Sequence, residues 1–509
     1  MSLLTRSSTV DGIVRRSAQT FRERVALRFE DREWTYAALD AAVSRAAGHL
    51  LGLGLEKGDR VAAYGKNSDA YLIAFLACAR AGLVHVPLNY NLTGVELSYL
   101  LGQSGSRAVL VDPGLAPQLD RVDEEVARSI EHRIALRDTA DSLLTVTREG
   151  EVPEVDVDVA DSDLAQFLYT SGTTSRPKAA MMSHKALVHE YLSCLVALDL
   201  QADDHPLHVM PLYHSAQMHV FLLPWLAIGA TNTLLEVPDA GEILRRIEQD
   251  GHRAFFAAPT LWVAMANHAD FATRNLDGLQ KAYYGASIMP GPILQRLQEK
   301  APAVGFYNCF GQSEVAPLCT VLRPEEHRER PDSAGRPVLF VEARVVDPEG
   351  NDVAAGESGE IVYRSPQLCD GYFDNPAATE EAFTGGWFHS GDLVRMDEAG
   401  YVFVVDRIKD VINTGGVLVA SREIEDAIYT HPAVAEVAVV GMPDEKWVEA
   451  VSAFVVRRGD VTAEELEAHL RERLASFKIP KRIEFIDALP RNASGKILKR
   501  ELRADAPRR

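Results

Sequence analysis

The feature that most constrains the fold is an alternation of short apolar runs with stretches of helical periodicity. It extends from about Thr35 to Gly311. Arg60–Tyr64 and Leu164–Thr170 are typical apolar runs, and Trp34–Leu53 is the clearest amphipathic helix. Such alternation is the signature of βαβ units, in which a helix returns the chain to the start of the next parallel strand. The sequence therefore predicts an α/β protein with mainly parallel sheets.

The pattern changes near Asp332. Pro331–Ser365 alternates apolar and polar residues between turn signals, which favours antiparallel strands. After Asp410 a smaller α/β unit follows, with a helix that begins at Ser421. We therefore expect a large N-terminal part, made of two βα-sheet subdomains and a β-barrel-like subdomain, and a small α/β C-terminal domain.

The charge balance excludes whole classes of function. The net charge is −20, which argues against a nucleic-acid-binding protein. Within this acidic chain, the segment Lys478–Arg509 carries ten basic and four acidic residues, so it is locally basic. The longest apolar runs, Tyr71–Ala79 and Val220–Ala230, fall well short of the roughly 20 residues of a membrane span. Five cysteines without a C-x-x-C spacing predict neither a disulfide framework nor a zinc site, and we expect a cytoplasmic location.

A loop rich in hydroxyl groups follows the predicted strand at Leu164–Thr170. From Tyr169 to Lys178 it is written YTSGTTSRPK. This combination can bind the oxygens of a polyphosphate through hydroxyls, backbone N–H groups at a flexible glycine, and the charge of a lysine. The loop is not a Walker A motif, because proline precedes Lys178 and no Ser or Thr follows it. A polar surface loop is the alternative interpretation.

Other catalytic patterns are missing from the sequence. It contains no G-x-S-x-G nucleophile elbow and no H-E-x-x-H. Four histidines lie close together, at His205, His208, His214 and His219. Without a cysteine partner they are a poor zinc site, so one functional histidine among structural neighbours is the better interpretation.

Five segments, in order, resemble those of the adenylate-forming superfamily of acyl-CoA synthetases, peptide adenylation domains and luciferases. They are the hydroxyl-rich loop, Tyr307–Glu314 (YNCFGQSE), Trp387–Asp392 (WFHSGD), Asp406–Asp410 (DRIKD) continuing to Gly415-Gly416 and Glu423–Glu425, and Pro490–Lys496 (PRNASGK). The closest likeness is to bacterial fatty-acid and acyl-CoA ligases. The resemblance implies ATP, Mg²⁺ and coenzyme A as cofactor and co-substrates, and a small-molecule carboxylic acid as substrate.

The resemblance also implies two half-reactions: a carboxylate attacks the α-phosphate of ATP, and a thiol then attacks the acyl adenylate. Lys496 is the expected adenylation catalyst, and Glu314 the magnesium ligand. The expected catalytic set is completed by Thr170, Lys178 and His214. Residues implied for binding ATP or AMP are Thr170, Ser171, Gly172, Thr173, Thr174, Lys178, Gly285, Ala286, Ser287, Asn308, Cys309, Phe310, Gly311, Ser313, Asp392, Arg407 and Lys496.

By the same resemblance, Lys409 is a hinge between a domain of residues 1–408 and a mobile domain of residues 409–509. Gly415 and Gly416 would leave space for pantetheine. The acyl pocket is expected along His214, Gln217, Met218, Ala258 and Tyr284. This lining is mostly apolar and holds no Lys or Arg, which predicts a hydrophobic monocarboxylic acid: fatty, aryl or polycyclic.

The sequence departs from the family pattern at four positions. Ser175 and Ala179 stand where glycine is usual, Ser421 where proline is usual, and Gln217 where a small glycine is common. The leading interpretation is an acid–CoA ligase. The alternatives are an enzyme that passes acyl-AMP to a carrier protein or a partner enzyme, a nucleotide-binding paralogue without turnover, and a luciferase-like oxygenase. The protein partners expected are a carrier protein or a downstream acyltransferase.

Overall fold

The computed structural model describes residues 8–170, 176–287, 289–415, 417–444, 447–491 and 497–504. It has an α/β architecture of four sheets. The predicted site residues Ser171, Gly172, Thr173, Thr174, Gly416 and Lys496 lie outside the described residues, as does Ser175.

The strands, in chain order, are β1 Val25–Phe29, β2 Arg32–Thr35, β3 Arg60–Tyr64, β4 Val84–Leu88, β5 Ala108–Val111, β6 His132–Ala135, β7 Leu164–Thr170, β8 Lys178–Ser183, β9 Pro206–His208, β10 Asn232–Leu234, β11 Ala254–Ala257, β12 Lys281–Gly285, β13 Gly305–Gly311, β14 Leu318–Leu322, β15 Arg336–Pro337, β16 Glu342–Val346, β17 Ser358–Arg364, β18 Phe388–Met396, β19 Val402–Arg407, β20 Ile412–Thr414, β21 Val417–Val419, β22 Val434–Asp444, β23 Val448–Arg457 and β24 Arg482–Phe485. The α-helices are α1 Val10–Thr20, α2 Tyr36–Gly52, α3 Asp69–Ala81, α4 Gly94–Ser104, α5 Glu124–Ser129, α6 Leu143–Arg148, α7 His184–Ala197, α8 Leu223–Ala227, α9 Ala240–Gln249, α10 Pro259–Asn267, α11 Gly291–Lys300, α12 Pro376–Ala382, α13 Ser421–Tyr429, α14 Ala463–Arg471 and α15 Lys499–Ala504.

Two large sheets form the N-terminal part. A six-stranded sheet has the order β6-β5-β3-β4-β7-β8, and a nine-stranded sheet has the order β15-β14-β13-β12-β11-β9-β10-β1-β2. Most of their pairings are parallel, and the antiparallel ones lie towards the edges. The prediction of βα subdomains with mainly parallel sheets is therefore confirmed.

The predicted helix Trp34–Leu53 was placed two residues too early. Trp34 and Thr35 belong to β2, and the helix begins at Tyr36. Thr35 is the N-cap, and its hydroxyl accepts a hydrogen bond from the N–H of Ala38. The indole N–H of Trp34 donates to the fully buried carboxylate of Asp69 over 2.9 Å. This long-range partner, which local periodicity does not reveal, holds Trp34 in the strand.

The third, β-rich subdomain is an antiparallel sheet with the linear order β16-β17-β18-β19. Its buried side chains form one cluster with β13 and β14 of the nine-stranded sheet. Val402 of β19 also exchanges backbone hydrogen bonds with Ala334 and Gly335, just before β15. These contacts bring β18 and β19 next to the end of the nine-stranded sheet that carries β13 and β14.

The C-terminal part is a five-stranded sheet in which β20, β21, β22, β23 and β24 pair, covered by α13 and α14. Its main hydrophobic core is drawn from residues between Ile412 and Ile479, with partly buried apolar side chains packed against it. The antiparallel sheet ends at Arg407 and the C-terminal sheet begins at Ile412, so Lys409 lies in the connection between the two sheets. Among the described residues, no helix combines the length and the apolar character that crossing a membrane requires.

Candidate active site

The loop that the sequence assigns to phosphate begins and ends on a pair of antiparallel strands. Thr170 of β7 is directly opposite Lys178 of β8, so the loop closes between two cross-strand neighbours. The ammonium group of Lys178 lies over the ring of Tyr372, 4.9 Å from its centre. The hydroxyl of Tyr372 in turn donates to Oε1 of Glu314 over 3.0 Å. One tyrosine thus connects the predicted phosphate lysine to the predicted metal ligand.

The segment after β13 brings Ser313 next to the histidine segment. Its hydroxyl lies 3.1 Å from the hydroxyl of Ser215, which directly follows His214. His214 is half-buried, and its Nδ1 accepts from the N–H of Ala216 over 3.3 Å. The residues predicted for the acid and those predicted for the phosphates are therefore neighbours.

A buried carboxylate on α7 supports the segment that follows β13. Glu190 of α7 is fully buried and accepts from the N–H of Leu318 over 2.9 Å. The side-chain amide of Gln367 donates to its other oxygen and to the carbonyl of Val315. Burial raises the pKa of Glu190 well above its ordinary value, although the Leu318 N–H and the Cys194 thiol act in the opposite direction. Glu190 thus holds the Leu318 end of the Ser313–Leu318 turn directly, and Gln367, which is bonded to Glu190, holds Val315 within it.

The predicted adenine segment lies where β12 and β13 run side by side. Gly285 pairs with Cys309, and a Cβ on Gly285 would lie only 2.1 Å from the carbonyl oxygen of Cys309. Ala286 follows with φ at 65°, and both it and Ser287 are exposed. The close backbone contact therefore requires glycine at 285, and the chain turns outward directly after it.

The second half of this segment is partly accessible. Asn308 is half-buried and donates its amide to the carbonyl of Ser333 over 3.0 Å, and Phe310 is half-buried. A Cβ on Gly311 would lie 1.8 Å from the carbonyl oxygen of Pro317, so only glycine fits there. Phe310 is the last residue but one of β13, and its side chain packs against the cluster that joins this sheet to the β-rich subdomain.

Asp392 and Arg407 form a cross-strand ion pair. They are directly opposite each other on β18 and β19, with Arg407 Nε 2.9 Å from Asp392 Oδ1. Arg407 also donates to the carbonyl of Ser390 over 2.9 Å. Asp392 is buried and Arg407 is half-buried. The pairing fixes the orientation of both groups and orders the predicted ribose site.

The loop that carries His214 is held by a residue from the other large sheet. Asn67, 2% exposed, follows β3 and accepts from the N–H of Leu212 over 2.8 Å. Its amide donates to the carbonyls of Met210 and Leu235. Because Asn67 joins both sheets, the position of the histidine loop depends on how the two subdomains pack.

The predicted acyl pocket is lined by buried groups whose polar atoms bond to protein partners. Gln217 lies in the π-helical turn Ala216–Leu222 and is 1% exposed. It accepts from the N–H of Met210 over 3.1 Å, and its amide lies 2.8 Å from Nδ1 of His208. Tyr284 is buried, with its hydroxyl 2.9 Å from Nε2 of His327. Of the two remaining predicted residues, Met218 is buried and Ala258 is half-buried.

The predicted hinge and thiol channel lie in the C-terminal part. Lys409 is exposed in a short 3₁₀ turn between β19 and β20. Gly415 has φ at 64°, and its N–H donates to the carbonyl of Trp447 over 2.6 Å. A Cβ on Gly415 would lie 3.2 Å from the indole ring. This glycine is therefore required both by its backbone conformation and by the adjacent ring.

The carboxylate of Glu314 fits the metal that the family uses. The described residues contain no group of three or more His, Cys, Asp or Glu side chains that could hold a metal ion by themselves. Mg²⁺ is commonly bound through one or two carboxylates, with substrate phosphates and water as the other ligands. The single half-buried Glu314, which Tyr372 connects to Lys178, matches that mode of binding.

Sequence reasoning missed three residues that organise the site: Tyr372, Asn67 and Glu190. The sequence contains a feature from which Glu190 could have been found, since it is a lone carboxylate in the otherwise largely apolar helix α7. It contains such a feature for Asn67 too, because Asn67 lies three residues after β3, a strand of a parallel sheet. It contains none for Tyr372, since this residue acts through contacts with distant segments.

Together, the sheets and these neighbouring groups bring close to one another the segments that the sequence assigns to a nucleotide and to an acid. A model of the AMP-binding enzyme family matches residues 14–373, and a model of the AMP-binding enzyme C-terminal domain matches residues 423–496. The chain belongs to the AMP-binding enzyme family.

Relatives span nearly the whole chain. A feruloyl-CoA synthase of Amycolatopsis sp is 38% identical over 490 residues, covering 96% of this chain and 97% of the relative. A long-chain-fatty-acid–CoA ligase of Mycobacterium tuberculosis is 33% identical over 476 residues, covering 93% of each. The crystal structure of an anthranilate CoA ligase in complex with anthranoyl-AMP superposes with a TM-score of 0.91 at 25% identity, covering 98% of this chain and 97% of that one.

The protein is an acid–thiol ligase that forms an acyl adenylate and then an acyl-CoA. Its co-substrates are ATP, coenzyme A and a small-molecule carboxylic acid, and it uses Mg²⁺. The comparisons do not favour the alternative in which acyl-AMP is handed to another protein.

Proposed function

We propose that this ligase activates a hydrophobic monocarboxylic acid and completes the thioester itself. The observation that carries the proposal is the contact between Ser215 and Ser313, whose hydroxyl groups are 3.1 Å apart. It brings the histidine segment, which we assign to the acyl pocket, beside the segment that ends in Glu314. An acid bound in that pocket presents its carboxylate towards the phosphates.

In the first half-reaction, a carboxylate oxygen attacks the α-phosphorus, the bond to the bridging oxygen breaks, and pyrophosphate leaves. No enzyme nucleophile is needed, so catalysis consists of positioning and charge stabilisation. We assign the binding of the β- and γ-phosphates to Thr170–Lys178. We assign to the ammonium of Lys496 the role of reducing the repulsion between the carboxylate and the α-phosphate as they approach each other. Magnesium bound through Glu314 would neutralise phosphate charge.

The nucleoside is assigned to the two strand pairs described above. Phe310 would stack on adenine, Asn308 would reach its amino edge, and Gly285–Ser287 would line the other side. Asp392, held by Arg407, would accept from the ribose hydroxyls. The structural support is that Gly285 and Gly311 both lie at backbone contacts too close for any side chain.

In the second half-reaction, the thiol sulfur attacks the acyl carbonyl and AMP leaves. We propose that residues 409–509 rotate about Lys409 between the two steps and bring Gly415 and Gly416 to the acyl adenylate. Supporting this division, the C-terminal sheet has its own hydrophobic core, and Lys409 is exposed in the connection. His214 would gate the carboxylate.

The acid class follows from the lining of the pocket. Gln217 and Tyr284 have their polar atoms bonded to protein partners, so the groups left for the ligand are mainly apolar. None of the residues in 214–218, 258–262 and 284–287 is Lys or Arg, so a second carboxylate would be unpaired. Relatives that act on ferulate and on long-chain fatty acids agree with an apolar acid.

The test is pyrophosphate release with ATP, Mg²⁺ and a panel of fatty, aryl and polycyclic acids, with and without coenzyme A. We expect turnover with at least one apolar acid, and faster release when coenzyme A is present. A panel in which malonate or amino acids exceed every apolar acid would contradict the acid class. Accumulation of acyl-AMP that coenzyme A does not relieve would contradict the thioester step.

A further inference from the structure

Tyr372 contacts two oppositely charged residues of the proposed site. Its hydroxyl donates to Oε1 of Glu314 over 3.0 Å, and its ring faces the ammonium of Lys178 at 4.9 Å. Tyr372 is 8% exposed, so both contacts are largely shielded from water. A hydrogen bond to a carboxylate and a cation over a ring are each stronger when desolvated.

The backbone around Tyr372 is held as an added strand. Tyr372 forms an antiparallel bridge with Ala180 of β8. On either side, the N–H of Met181 donates to the carbonyl of Gly371, and the N–H of Phe373 donates to the carbonyl of Ala179, both over 2.9 Å. The ring is therefore anchored to the strand that begins with Lys178 itself.

The same segment also supports the backbone of Glu314. The N–H of Cys369 donates to the carbonyl of Glu314 over 2.8 Å. The amide of Gln367 donates to the carbonyls of Val315 and Leu318 over 3.3 and 3.2 Å. Segment 367–373 thus fixes both the main chain and the side chain of the predicted metal ligand.

We propose that Tyr372 is a positioning residue for adenylation, which holds the Glu314 carboxylate and the Lys178 ammonium in one fixed arrangement. The inference rests on the proposed function, which assigns Glu314 to the metal and Lys178 to the phosphates. Groups that hydrogen-bond a metal-ligating carboxylate orient it, and their loss weakens metal binding about 10- to 100-fold. The ring orients Lys178 without neutralising it, so its charge stays available to phosphate.

Two substitutions separate the two contacts. Tyr372→Phe removes the hydroxyl and keeps the ring, whereas Tyr372→Leu removes both. Metal binding is measured by electron paramagnetic resonance, as a titration with Mn²⁺ in the presence of a non-hydrolysable ATP analogue. We expect Tyr372→Phe to weaken Mn²⁺ binding about tenfold and to leave the affinity for the metal-free analogue unchanged. Tyr372→Leu should also weaken binding of the metal-free analogue, about fivefold.

Tyr401→Phe is the matched control, because the Tyr401 hydroxyl donates to Glu326 over 2.7 Å outside the proposed site. It should bind Mn²⁺ like the unmodified enzyme. Thiolysis of supplied acyl-AMP checks that each variant is folded. If Tyr372→Phe matches Tyr401→Phe in the titration while Glu314→Gln loses Mn²⁺ binding, the role of Tyr372 is refuted and the metal site stands. If Glu314→Gln also binds Mn²⁺ normally, the metal assignment within the proposed function fails first.

Discussion

Ser421 donates both its backbone N–H and its hydroxyl to the same carboxylate oxygen of Asp406, over 2.6 and 2.8 Å. Both residues are buried. Lys499 donates to the Ser421 hydroxyl over 2.7 Å and pairs with Glu425 at 2.8 Å. The contact joins β19 to α13, on opposite sides of the proposed hinge at Lys409. The proline expected here from family resemblance has neither donor, so this departure adds a contact between the two parts.

We predict that loss of this contact exposes the hinge to protease. Ser421→Ala removes one buried hydrogen bond, worth about 1 kcal/mol, and should raise the rate of tryptic cleavage after Lys409 about fivefold. Ser421→Pro removes both bonds and should raise it further. The measurement is the rate at which the cleaved fragment appears on a gel. Ser421→Thr keeps both donors and serves as the control. Wild-type rates for both Ala and Pro variants would contradict the prediction.

The two half-reactions should depend on different residues. Lys496→Ala should lower acyl-AMP formation about 10²- to 10³-fold, because it would remove the charge that we assign to stabilising the transition state, and should spare thiolysis of supplied acyl-AMP. Gly415→Val introduces a side chain at φ 64° against the Trp447 ring. We expect it to affect thiolysis more than adenylation. Gly350→Val is the control, since Gly350 has φ 84° with nothing within 4 Å of its Cβ position. Equal losses in both half-reactions would refute the division of roles.

The volume of Gln217 should limit the size of the acid. Its buried amide is held by Met210 and near His208, so the side chain does not move aside for a larger ligand. Gln217→Ala should raise kcat/KM for a long-chain fatty acid relative to an aryl acid, about tenfold, because about 1–2 kcal/mol of steric exclusion is removed. Gln217→Met keeps the volume without the amide and should retain the original ratio. An unchanged ratio in the Ala variant would show that Gln217 does not limit the pocket.

Buried histidines should make the protein less stable in mild acid. Burial lowers the pKa of His85 and of His219 to about 3, and that of His208 to about 4. Their ordinary pKa is 6.5, so the unfolded chain binds protons first as the pH falls below that value. The free energy of unfolding is therefore fully present above pH 6.5 and falls as the pH drops from 6.5 to about 4. The loss is up to about 1.4 kcal/mol for each histidine and each pH unit.

The check is the urea midpoint of unfolding between pH 7.5 and 5. His219 connects the Tyr191 hydroxyl and the Gln166 amide oxygen, over 2.9 and 2.7 Å. His219→Gln should therefore lower the midpoint at pH 7.5 but flatten its dependence on pH. His189→Gln, at a partly exposed position, is the control for the loss of an imidazole. A midpoint that rises as the pH falls would refute the assignment.

Much of the fold was accessible from the sequence. β3 and β7 have the predicted bounds Arg60–Tyr64 and Leu164–Thr170, because a short buried strand of a parallel sheet is a continuous apolar run. The start of α2 was not accessible from the sequence, because Trp34 is held in β2 by its hydrogen bond to Asp69. Candidate residues were found wherever a whole motif lies in one segment, as in the Asp392 and Glu314 segments. Their individual roles stay predictions.

By itself, the sequence determined the class of fold, the family and the order of the site segments, since periodicity and short motifs are properties of neighbouring residues. Only the tertiary structure decided which side chains support them. Tyr372 lies 58 positions after Glu314 and beside Lys178, and Ser215 lies 98 positions before Ser313. No local pattern encodes such pairs, because they arise when separate sheets pack and bring distant turns to the same edge.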